Sequence, residues 1–398
     1  MDKIDGVLER GVEKIYPSKE ALEKALRSGK KLRVYQGFDP TTPELHIGHM
    51  VGLRKLRQWQ DLGHEVIFLI GDFTGMIGDP TGRDKTRTPL TREQVLENAK
   101  TYKEQANKVL RFEGKNPVKI KFNSEWLDKL SIEDLLRLTS YLTYQQVIER
   151  DMFQKRLEKE MDISINEFLY PFMQGYDSVA MDVDVEIGGS DQLFNMMTGR
   201  DLMRKIKRKE KFVMTTPLLT DSSGNKIGKT ENNVIALTTP PNDFYGMIMN
   251  LGDDVIVKCF EYLTDVPMDE VKEIEKKIAS GENPMTFKKK LAFTLTEMLN
   301  DTRVAKEAQE EFERVFQKGK TPVYNILTHF LQAGEEDIID LLVKTKLISS
   351  RSSAKRLVEQ GGVEIDGEKI LDIRYKILVK DGMIIRAGKR KFVKIKTA

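Results

Sequence analysis

The sequence has little cysteine and histidine: one cysteine, Cys259, and four histidines in 398 residues. A single cysteine cannot form an intramolecular disulfide, and it excludes a zinc site built from several cysteines. No run of 18 uninterrupted apolar residues occurs, so no transmembrane helix is predicted. Residues 1–13 mix charged side chains with scattered Ile, Val and Leu and lack the apolar stretch of a secretion signal. We therefore expect a cytoplasmic protein with no membrane segment and no protein-bound structural metal.

The charge is unevenly distributed along the chain. The net charge is only +3, but residues 338–398 contain 15 Lys and Arg against 7 Asp and Glu, a balance of +8, which leaves −5 for residues 1–337. A small basic region attached to an acidic body indicates contact with a polyanion. The alternative interpretation of the charge alone is a solvated lysine-rich surface.

Apolar patterning predicts a doubly wound α/β sheet in the first part of the chain. Short apolar runs typical of buried strands lie near residues 32–38 and at 66–70, 118–122, 183–187 and 212–219, and helical patterns separate them, beginning with residues 1–30 and 47–62. Strands that alternate with helices favour a parallel sheet, which binds ligands outside the carboxyl ends of its strands. The loops 37–49, 71–82 and 187–192 should therefore meet at one edge.

Two histidines three residues apart form the strongest local signal. His46 and His49 flank Gly48 at the predicted start of a helix. Free backbone N–H groups and partial positive charge at a helix N-terminus suit phosphate binding, and glycine lets a nucleotide approach the backbone closely. A metal site is less favoured, because no third ligand lies at a spacing typical of metal sites. The alternative is that two histidines with no special role lie near a helix cap.

A second signal is the turn-rich loop that contains Lys226 and Lys229 on either side of a glycine. Such a loop can fold over a triphosphate and neutralise charge that develops there. Two lysines in a surface loop are common, so this motif gains its significance from the histidine pair.

Together the two motifs resemble the signatures of class I aminoacyl-tRNA synthetases, and the surrounding residues resemble the tyrosyl branch of bacterial type. The similar stretches are YQGFDPTTPELHIGH at 35–49, GDP at 78–80, YPFMQGYD at 170–177, IGGSDQ at 187–192 and KIGKT at 226–230. They span about two hundred residues in the order of the family. The resemblance implies a tyrosine–tRNA ligase with ATP and Mg²⁺, L-tyrosine and its tRNA as substrates, and a homodimer.

The resemblance also implies roles for individual residues. The phenol of tyrosine would be bound by Tyr35 and Asp177, its ammonium group by Asp79, Tyr170 and Gln174, and its carboxylate would lie near Gln192. The nucleotide would be lined by Gly37, Asp39, Gly48, Gly189 and Asp191, with Asp191 on the ribose hydroxyls. The phosphates would be surrounded by Thr41, His46, Lys226 and Lys229, and the predicted catalytic residues are these four and His49. One residue departs from the pattern of the family: Glu186 stands where glutamine is expected. This leaves open how the groups around the tyrosine site are polarised.

The residue types agree with these implied roles. A buried phenol hydroxyl needs a donor and an acceptor, and Tyr35 with Asp177 can supply both. The first step needs no general base, since the substrate carboxylate is already ionised and can attack the α-phosphate of ATP. Taken singly, Tyr35 would be an ordinary core aromatic and Asp177 a helix-surface carboxylate.

The C-terminal region resembles a small RNA-binding module shared with a small-subunit ribosomal protein. Arg351, Lys355 and Arg356 have the spacing to share one helical face, from which they would contact RNA phosphates. Helices are predicted at 338–347 and 351–360, and β-prone runs at 363–365, 377–379, 383–385 and 392–395. The alternative is a helix with a basic exposed face.

The predicted organisation has four parts. A Rossmann-like catalytic domain with an N-terminal helix covers 1–233, a helical domain for the anticodon arm covers 234–331, an acidic linker covers 332–337, and a small α+β RNA-binding domain covers 338–398.

Three other functions compete with the tyrosine–tRNA ligase interpretation. A tryptophanyl-tRNA synthetase would have to bind an indole rather than a phenol. A small-molecule nucleotidyltransferase would not need the RNA-binding region. A catalytically retired synthetase that only binds RNA is disfavoured by the intact motifs.

Overall fold

The computed structural model describes residues 2–81, 89–227, 234–317, 327–331, 334–345, 347–388 and 391–397. The chain divides into two compact units, residues 1–302 and 303–398. In the part of the chain that the structure describes, no helix has both the length and the apolar character needed to span a membrane.

The first unit is a mixed α/β structure followed by helices. Its strands are β1 Lys14–Tyr16, β2 Arg33–Phe38, β3 Glu65–Ile70, β4 Lys119–Phe122, β5 Val185–Gly189 and β6 Phe212–Thr216. Its helices up to β6 are α1 Lys3–Glu9, α2 Lys19–Arg27, α3 Ile47–Asp61, α4 Thr74–Ile77, α5 Arg92–Ala99, α6 Tyr102–Asn107, α7 Ser124–Leu127, α8 Ile132–Thr139, α9 Tyr144–Ile148, α10 Asp151–Glu158, α11 Ile165–Met181 and α12 Leu193–Leu202. After β6 come α13 Pro241–Met249, α14 Ile256–Leu263, α15 Met268–Ala279 and α16 Pro284–Leu299.

The predicted doubly wound sheet is confirmed. Its strand order is β1-β6-β5-β2-β3-β4, and every neighbouring pair is parallel except β1 with β6. The chain runs outward from β2 through β3 to β4 and then returns to β5 on the other side of β2. The order of the strands therefore reverses between β2 and β5, where the crevice outside their carboxyl ends is the expected ligand site.

Helix α3 begins at the histidine pair, as predicted. His46 is its N-cap residue, and its Nδ1 accepts a hydrogen bond from the Gly48 N–H at 3.1 Å. The helix ends at Asp61, and Gly63 follows with φ of +86°, a conformation that glycine adopts without steric cost. The apolar side of α3 is buried, including Leu53, Leu56 and Trp59 with no exposed surface. The helix is thereby fixed against the sheet, with its N-terminus at the carboxyl end of β2.

The prediction that residues 1–30 are helical is wrong for Lys14–Tyr16. These residues form β1, which pairs antiparallel with β6 and extends the sheet at that edge. Gly11, with φ of +61°, lies between α1 and β1. Strand pairing with a segment about 200 residues away determines this conformation, and local helical patterning carries no information about such a partner.

The second unit has its own core. Its helices are α17 Thr302–Phe312, α18 Ile338–Lys344 and α19 Arg351–Glu359, and its strands are β7 Leu327–Leu331, β8 Gly334–Asp337, β9 Val363–Ile365, β10 Glu368–Ile370, β11 Lys376–Val379, β12 Ile384–Ala387 and β13 Lys391–Thr397. Leu341, Val358, Ile385 and Ile395 are completely buried in one hydrophobic cluster that joins α18 and α19 to the strands. Burying a side chain of this size stabilises the fold by roughly 1.5–3 kcal/mol, so this small unit has a genuine core.

Two expectations about the middle of the chain are wrong. Leu327–Leu331, predicted to be helical, form β7, which pairs in parallel with β13. Gly334–Asp337, predicted to be part of a linker, form β8, which pairs antiparallel with β11. Both segments pair with strands about 40 to 65 residues later, and the acidic composition that suggested a linker does not reveal this pairing. Residues 332 and 333 of the predicted linker lie outside the described residues.

Candidate functional site

One cavity of about 460 Å³ lies at the carboxyl ends of β2 and β5. All of the predicted tyrosine, nucleotide and phosphate residues that the structure describes line it: Tyr35, Gly37, Asp39, Thr41, His46, Gly48, His49, Asp79, Tyr170, Gln174, Asp177, Gly189, Asp191, Gln192 and Lys226. The loops expected to meet at one sheet edge therefore do so. The individual roles of these residues remain predictions.

The other predicted residues lie elsewhere. Lys229 is outside the described residues. Arg351, Lys355 and Arg356 are exposed on α19 of the second unit, where Arg351 also forms an ion pair with Asp340 of α18.

The two histidines are held by backbone hydrogen bonds at the start of α3. His46 Nδ1 accepts from the Gly48 N–H at 3.1 Å, and His49 Nδ1 accepts from the His46 N–H at 3.1 Å. Because Nδ1 is an acceptor in both rings, each neutral imidazole carries its hydrogen on Nε2. A Cβ at Gly48 would lie 2.9 Å from the His46 ring, so any other residue there would displace the ring. The pair thus presents Nε2–H donors at a helix N-terminus.

A carboxylate occupies the closed end of the cavity. Asp177 on α11 is 2% exposed; its Oδ1 accepts from Trp126 Nε1 at 2.8 Å and its Oδ2 from Asn123 Nδ2 at 3.4 Å. Burial raises the pKa of Asp177 well above its usual range, against the opposing effect of these two donors. Two neutral donors therefore orient a desolvated carboxyl group as a strong hydrogen-bond acceptor.

Two tyrosine hydroxyls lie beside this carboxyl group. Tyr35 is 1% exposed, and its hydroxyl makes a 2.9 Å hydrogen bond with Ser178 Oγ. Tyr170 donates from its hydroxyl to Asp39 Oδ2 at 2.7 Å. Burial raises the pKa of both phenols, and nearby carboxylates raise it further. Both side chains are therefore neutral hydroxyls that can donate or accept.

Tyr170 and Asp79, which are both predicted to hold the ammonium group, have different hydrogen-bond partners. Tyr170 is bonded to Asp39, whose other oxygen accepts from Thr74 Oγ1 at 2.7 Å. Asp79 Oδ2 accepts from Gln192 Nε2 at 2.6 Å. Both carboxylates nevertheless face the same cavity, so the region between the closed and open ends carries acceptors suited to a cation.

The other end of the cavity is open to solvent and holds an ion pair. Lys226 Nζ lies 2.7 Å from Asp191 Oδ2, and the lysine side chain is 49% exposed. A single exposed pair of this kind is weak, so the lysine can exchange its partner for an incoming anion at little cost. The geometry combines a buried hydrogen-bonding end with an exposed cation at the mouth.

Sequence reasoning missed four residues that hold the site together. Asn123 and Trp126 orient Asp177, while Ser178 and Lys211 contact each other at 2.8 Å beside Tyr35. Ser178 directly follows Asp177 in the sequence, which offered a weak signal. Asn123, Trp126 and Lys211 come from distant segments with no recognisable motif, and only the fold brings them together.

Replacement of Asp177 is expected to change how stability depends on pH. A carboxyl group whose pKa is raised by folding holds its proton more tightly in the folded state than in the unfolded chain, so it favours folding most at low pH. As the pH rises above the unfolded value of about 3.8, the unfolding free energy of the wild type should fall relative to that of Asp177→Asn. Denaturant melts of both proteins at several pH values between 4 and 8 test this; a difference that stays constant with pH would contradict it.

The described residues contain no group of three or more His, Cys, Asp or Glu side chains that could hold a metal ion.

Two family models match this chain. Residues 27–317 match the family model "tRNA synthetases class I (W and Y)", and residues 311–395 match "Tyrosine--tRNA ligase SYY-like C-terminal domain". The fold, the cavity and the first match define the chain as a class I tRNA synthetase of the tryptophanyl and tyrosyl group.

Relatives that are similar over nearly the whole chain distinguish between the tryptophanyl and tyrosyl members of this group. The chain is 45% identical over 98% of its length to the tyrosine–tRNA ligase of Thermotoga maritima, covering 96% of that protein, and 44% identical over 94% of its length to that of Oleidesulfovibrio alaskensis, covering 94% of that protein. A solved C-terminally truncated mitochondrial tyrosyl-tRNA synthetase of Coccidioides posadasii matches with a TM-score of 0.64 and 27% identity, over 78% of this chain and 91% of that one. The chain belongs to the tyrosyl-tRNA synthetase family.

Proposed function

We propose that the cavity activates L-tyrosine with ATP and that the chain transfers the tyrosyl group to the 3′ end of its tRNA in the cytoplasm. The observation that carries this proposal is the polarity of the cavity. Its closed end offers Asp177 and Tyr35, a buried acceptor and a neutral hydroxyl suited to a phenol. Its open end offers the start of α3 and Lys226, which suit phosphates.

The first step joins a carboxylate oxygen of tyrosine to the α-phosphorus of ATP and breaks the bond to the β-phosphate, so that pyrophosphate leaves. The carboxylate is already ionised, and no side chain needs to remove a proton. Rate enhancement comes from holding the two substrates in line and stabilising the charge on the phosphates. Gln174 and Asp79 would hold the ammonium group and thereby fix the carboxylate near Gln192.

The residues around the start of α3 would bind the phosphates of ATP at the open end of the cavity. His46 and His49 would donate from Nε2, Thr41 from its hydroxyl, and Lys226 would move from Asp191 to the phosphates as Asp191 takes the ribose hydroxyls. Lys229 is proposed for the same role from its sequence motif. Mg²⁺ would enter with ATP as part of that substrate, bound mainly by phosphate oxygens and water.

Amino-acid-dependent exchange of pyrophosphate into ATP, without tRNA, tests this function. Exchange with tyrosine and not with phenylalanine or tryptophan would establish the activation step and the recognition of the phenol. Exchange with tryptophan would keep the enzyme class but contradict the assignment of Tyr35 and Asp177. No exchange with any of the three, in folded protein supplied with Mg²⁺, would favour a retired synthetase that binds RNA.

We further propose that the second unit binds the tRNA. Arg351, Lys355 and Arg356 project from the exposed side of α19, whose other side is buried through Ala354 and Val358. An exposed basic helix face contacts phosphates mainly by electrostatics. The helices after β6 would contact the anticodon arm.

Replacing Arg351, Lys355 and Arg356 by alanine together should leave tyrosine-dependent exchange unchanged and weaken aminoacylation. Each lost phosphate contact should lower the slope of log K against log salt by about 0.7–0.9. The matched control replaces the exposed Lys369 of β10, Lys376 of β11 and Lys380 just after β11, which removes the same charge from outside α19. Equal effects of the two triple variants on tRNA affinity would contradict a specific role for α19.

We also propose that the first unit forms a homodimer through α8 to α11. Large apolar side chains are exposed along this segment, with Ile132 80% and Ile165 77% accessible, and Leu136, Tyr144 and Leu157 are exposed in the same segment. Exposed apolar side chains concentrated in one segment of about 35 residues are typical of an interface.

Glutamate at both Ile132 and Leu136 should therefore produce a monomer at micromolar concentration, because two charges would have to be buried in the interface. Sedimentation equilibrium measures the change. Leu371→Glu, at a 65% exposed apolar residue of the second unit, is the control and should leave the mass unchanged. A wild-type protein that is already monomeric would overturn the proposal.

A further inference from the structure

A buried ion pair lies directly behind the proposed tyrosine site. Lys211 and Glu186 are 0% and 2% exposed, and Lys211 Nζ contacts Glu186 Oε2. Removing two charges from water costs several kcal/mol per ion, so such a pair needs nearly complete hydrogen bonding. The packing provides it, because Gly199 leaves room for the ammonium group: a Cβ there would lie 2.6 Å from Lys211 Nζ.

Every donor of Lys211 has a partner. Besides Glu186, its Nζ donates to Ser178 Oγ at 2.8 Å and to the Met196 carbonyl at 3.1 Å. Burial lowers the pKa of Lys211, and the charge of Glu186 opposes this shift. Three acceptors satisfy the three N–H donors of the Lys211 ammonium group, and the Glu186 carboxylate paired with it can only accept hydrogen bonds.

The two oxygens of Glu186 face two different side chains of the tyrosine site. Oε1 accepts from Gln174 Nε2 at 3.1 Å, and Oε2 accepts from Ser178 Oγ at 3.3 Å. Gln174 and Ser178 are four residues apart on α11, so they lie on one face of that helix. One carboxylate is therefore linked to both of the predicted binding groups, Gln174 for the ammonium and, through Ser178, Tyr35 for the phenol.

The contact with Glu186 defines the direction of the hydrogen bond from Gln174. A carboxylate can accept only the amide N–H₂ of Gln174, so Gln174 Oε1 is turned away from Glu186; among the described residues this buried oxygen has no hydrogen-bond partner. Ser178 Oγ also accepts from Lys211 and makes a 2.9 Å hydrogen bond with the Tyr35 hydroxyl, in which either oxygen can be the donor, so it holds that hydroxyl in place. The network thus leaves Gln174 Oε1 as an acceptor, which is the group that an ammonium ion requires.

We propose that Glu186, Lys211 and Ser178 are positioning residues that set the orientation of Gln174 and Tyr35 and thereby the affinity for tyrosine. The inference rests on the proposed roles of those two residues in tyrosine binding. A glutamine at 186 could present either its oxygen or its nitrogen and would not determine the orientation of the Gln174 amide. Glu186, paired with Lys211, removes that ambiguity.

The test measures tyrosine binding by calorimetry and exchange kinetics in the full chain. Glu186→Gln combined with Lys211→Met removes the network without leaving a buried unpaired charge. We expect the Kd and KM for tyrosine to rise about tenfold, the effect of one to two hydrogen bonds, with kcat changed less than threefold. The matched control is Glu167→Gln with Arg156→Met, which removes a buried ion pair that does not line the cavity, and it should leave Kd and KM unchanged.

A second set of variants decides the question even if the double variant does not fold. Ser178→Ala should raise the KM for tyrosine in the wild type but have no further effect in a Tyr35→Phe background, because Ser178 acts through the Tyr35 hydroxyl. Equal effects in the two backgrounds, or a fall in kcat with KM unchanged, would overturn the proposal. Absence of tyrosine binding by the wild-type protein would instead refute the proposed function.

Discussion

Asp177→Asn is expected to lower kcat/KM for tyrosine in pyrophosphate exchange by at least two orders of magnitude and to leave the value for phenylalanine nearly unchanged. A site built to bind a hydroxyl rejects the analogue without it by about four to five orders of magnitude, a figure measured on tyrosyl-tRNA synthetases themselves. Most of that discrimination should therefore disappear with the carboxylate.

The physical reason lies in the two donors that hold the carboxyl group. Trp126 Nε1 donates to one oxygen of Asp177 and Asn123 Nδ2 to the other. An asparagine must turn its N–H₂ group either towards one of these donors or towards the cavity. In the first case a buried N–H₂ group faces another donor. In the second case the acceptor for the substrate hydroxyl is lost. Each such mismatch costs about 1–3 kcal/mol.

Asp184→Asn is the matched control. Asp184 is a buried carboxylate outside the cavity, bonded to the backbone N–H of Arg33 at 2.8 Å. Its replacement should affect thermal stability without changing the ratio of kcat/KM for tyrosine and phenylalanine. If Asp177→Asn lowers kcat/KM for tyrosine and for phenylalanine equally, Asp177 supports the fold of the cavity and does not recognise the phenol.

The sheet and the main residues of the cavity could be predicted because their signals are local. Apolar runs mark β3 to β6, the histidine pair marks the start of α3, and parallel strands necessarily end at one edge. Residues that follow those strand ends, such as Asp39 and Asp191, therefore come together once the topology is known. The resemblance to a family supplied the roles predicted for them, which the apolar pattern alone could not.

The residues that orient the site could not be predicted, because their partners are distant in the sequence. Lys211 lies in a charged stretch that looks like solvent-exposed surface, yet it is fully buried beside Glu186, 25 residues earlier. The strand β1 was missed for the same reason, since its partner β6 is about 200 residues away. In each case a tertiary interaction overrides the local preference, and no sequence periodicity records it.

The second large effect is expected at the open end of the cavity. His46→Ala should lower the rate of adenylate formation by about two to three orders of magnitude, the usual cost of removing one donor that stabilises transition-state charge. Because Nδ1 accepts from Gly48, the neutral ring can donate only from Nε2, which makes it a fixed donor. The KM for tyrosine should change little, since the phenol and ammonium sites are untouched.

His46→Asn separates catalysis from stability. His46 is also the N-cap of α3, and loss of a capping side chain costs about 0.5–2 kcal/mol. Asparagine is a good N-cap residue, so His46→Asn should recover the melting temperature that His46→Ala loses while leaving the rate low. Single-turnover measurements of enzyme-bound adenylate and thermal melts on the three proteins test this. Recovery of the rate together with the melting temperature would show that His46 serves the helix and that phosphate stabilisation comes from the backbone N–H groups and the lysine loop.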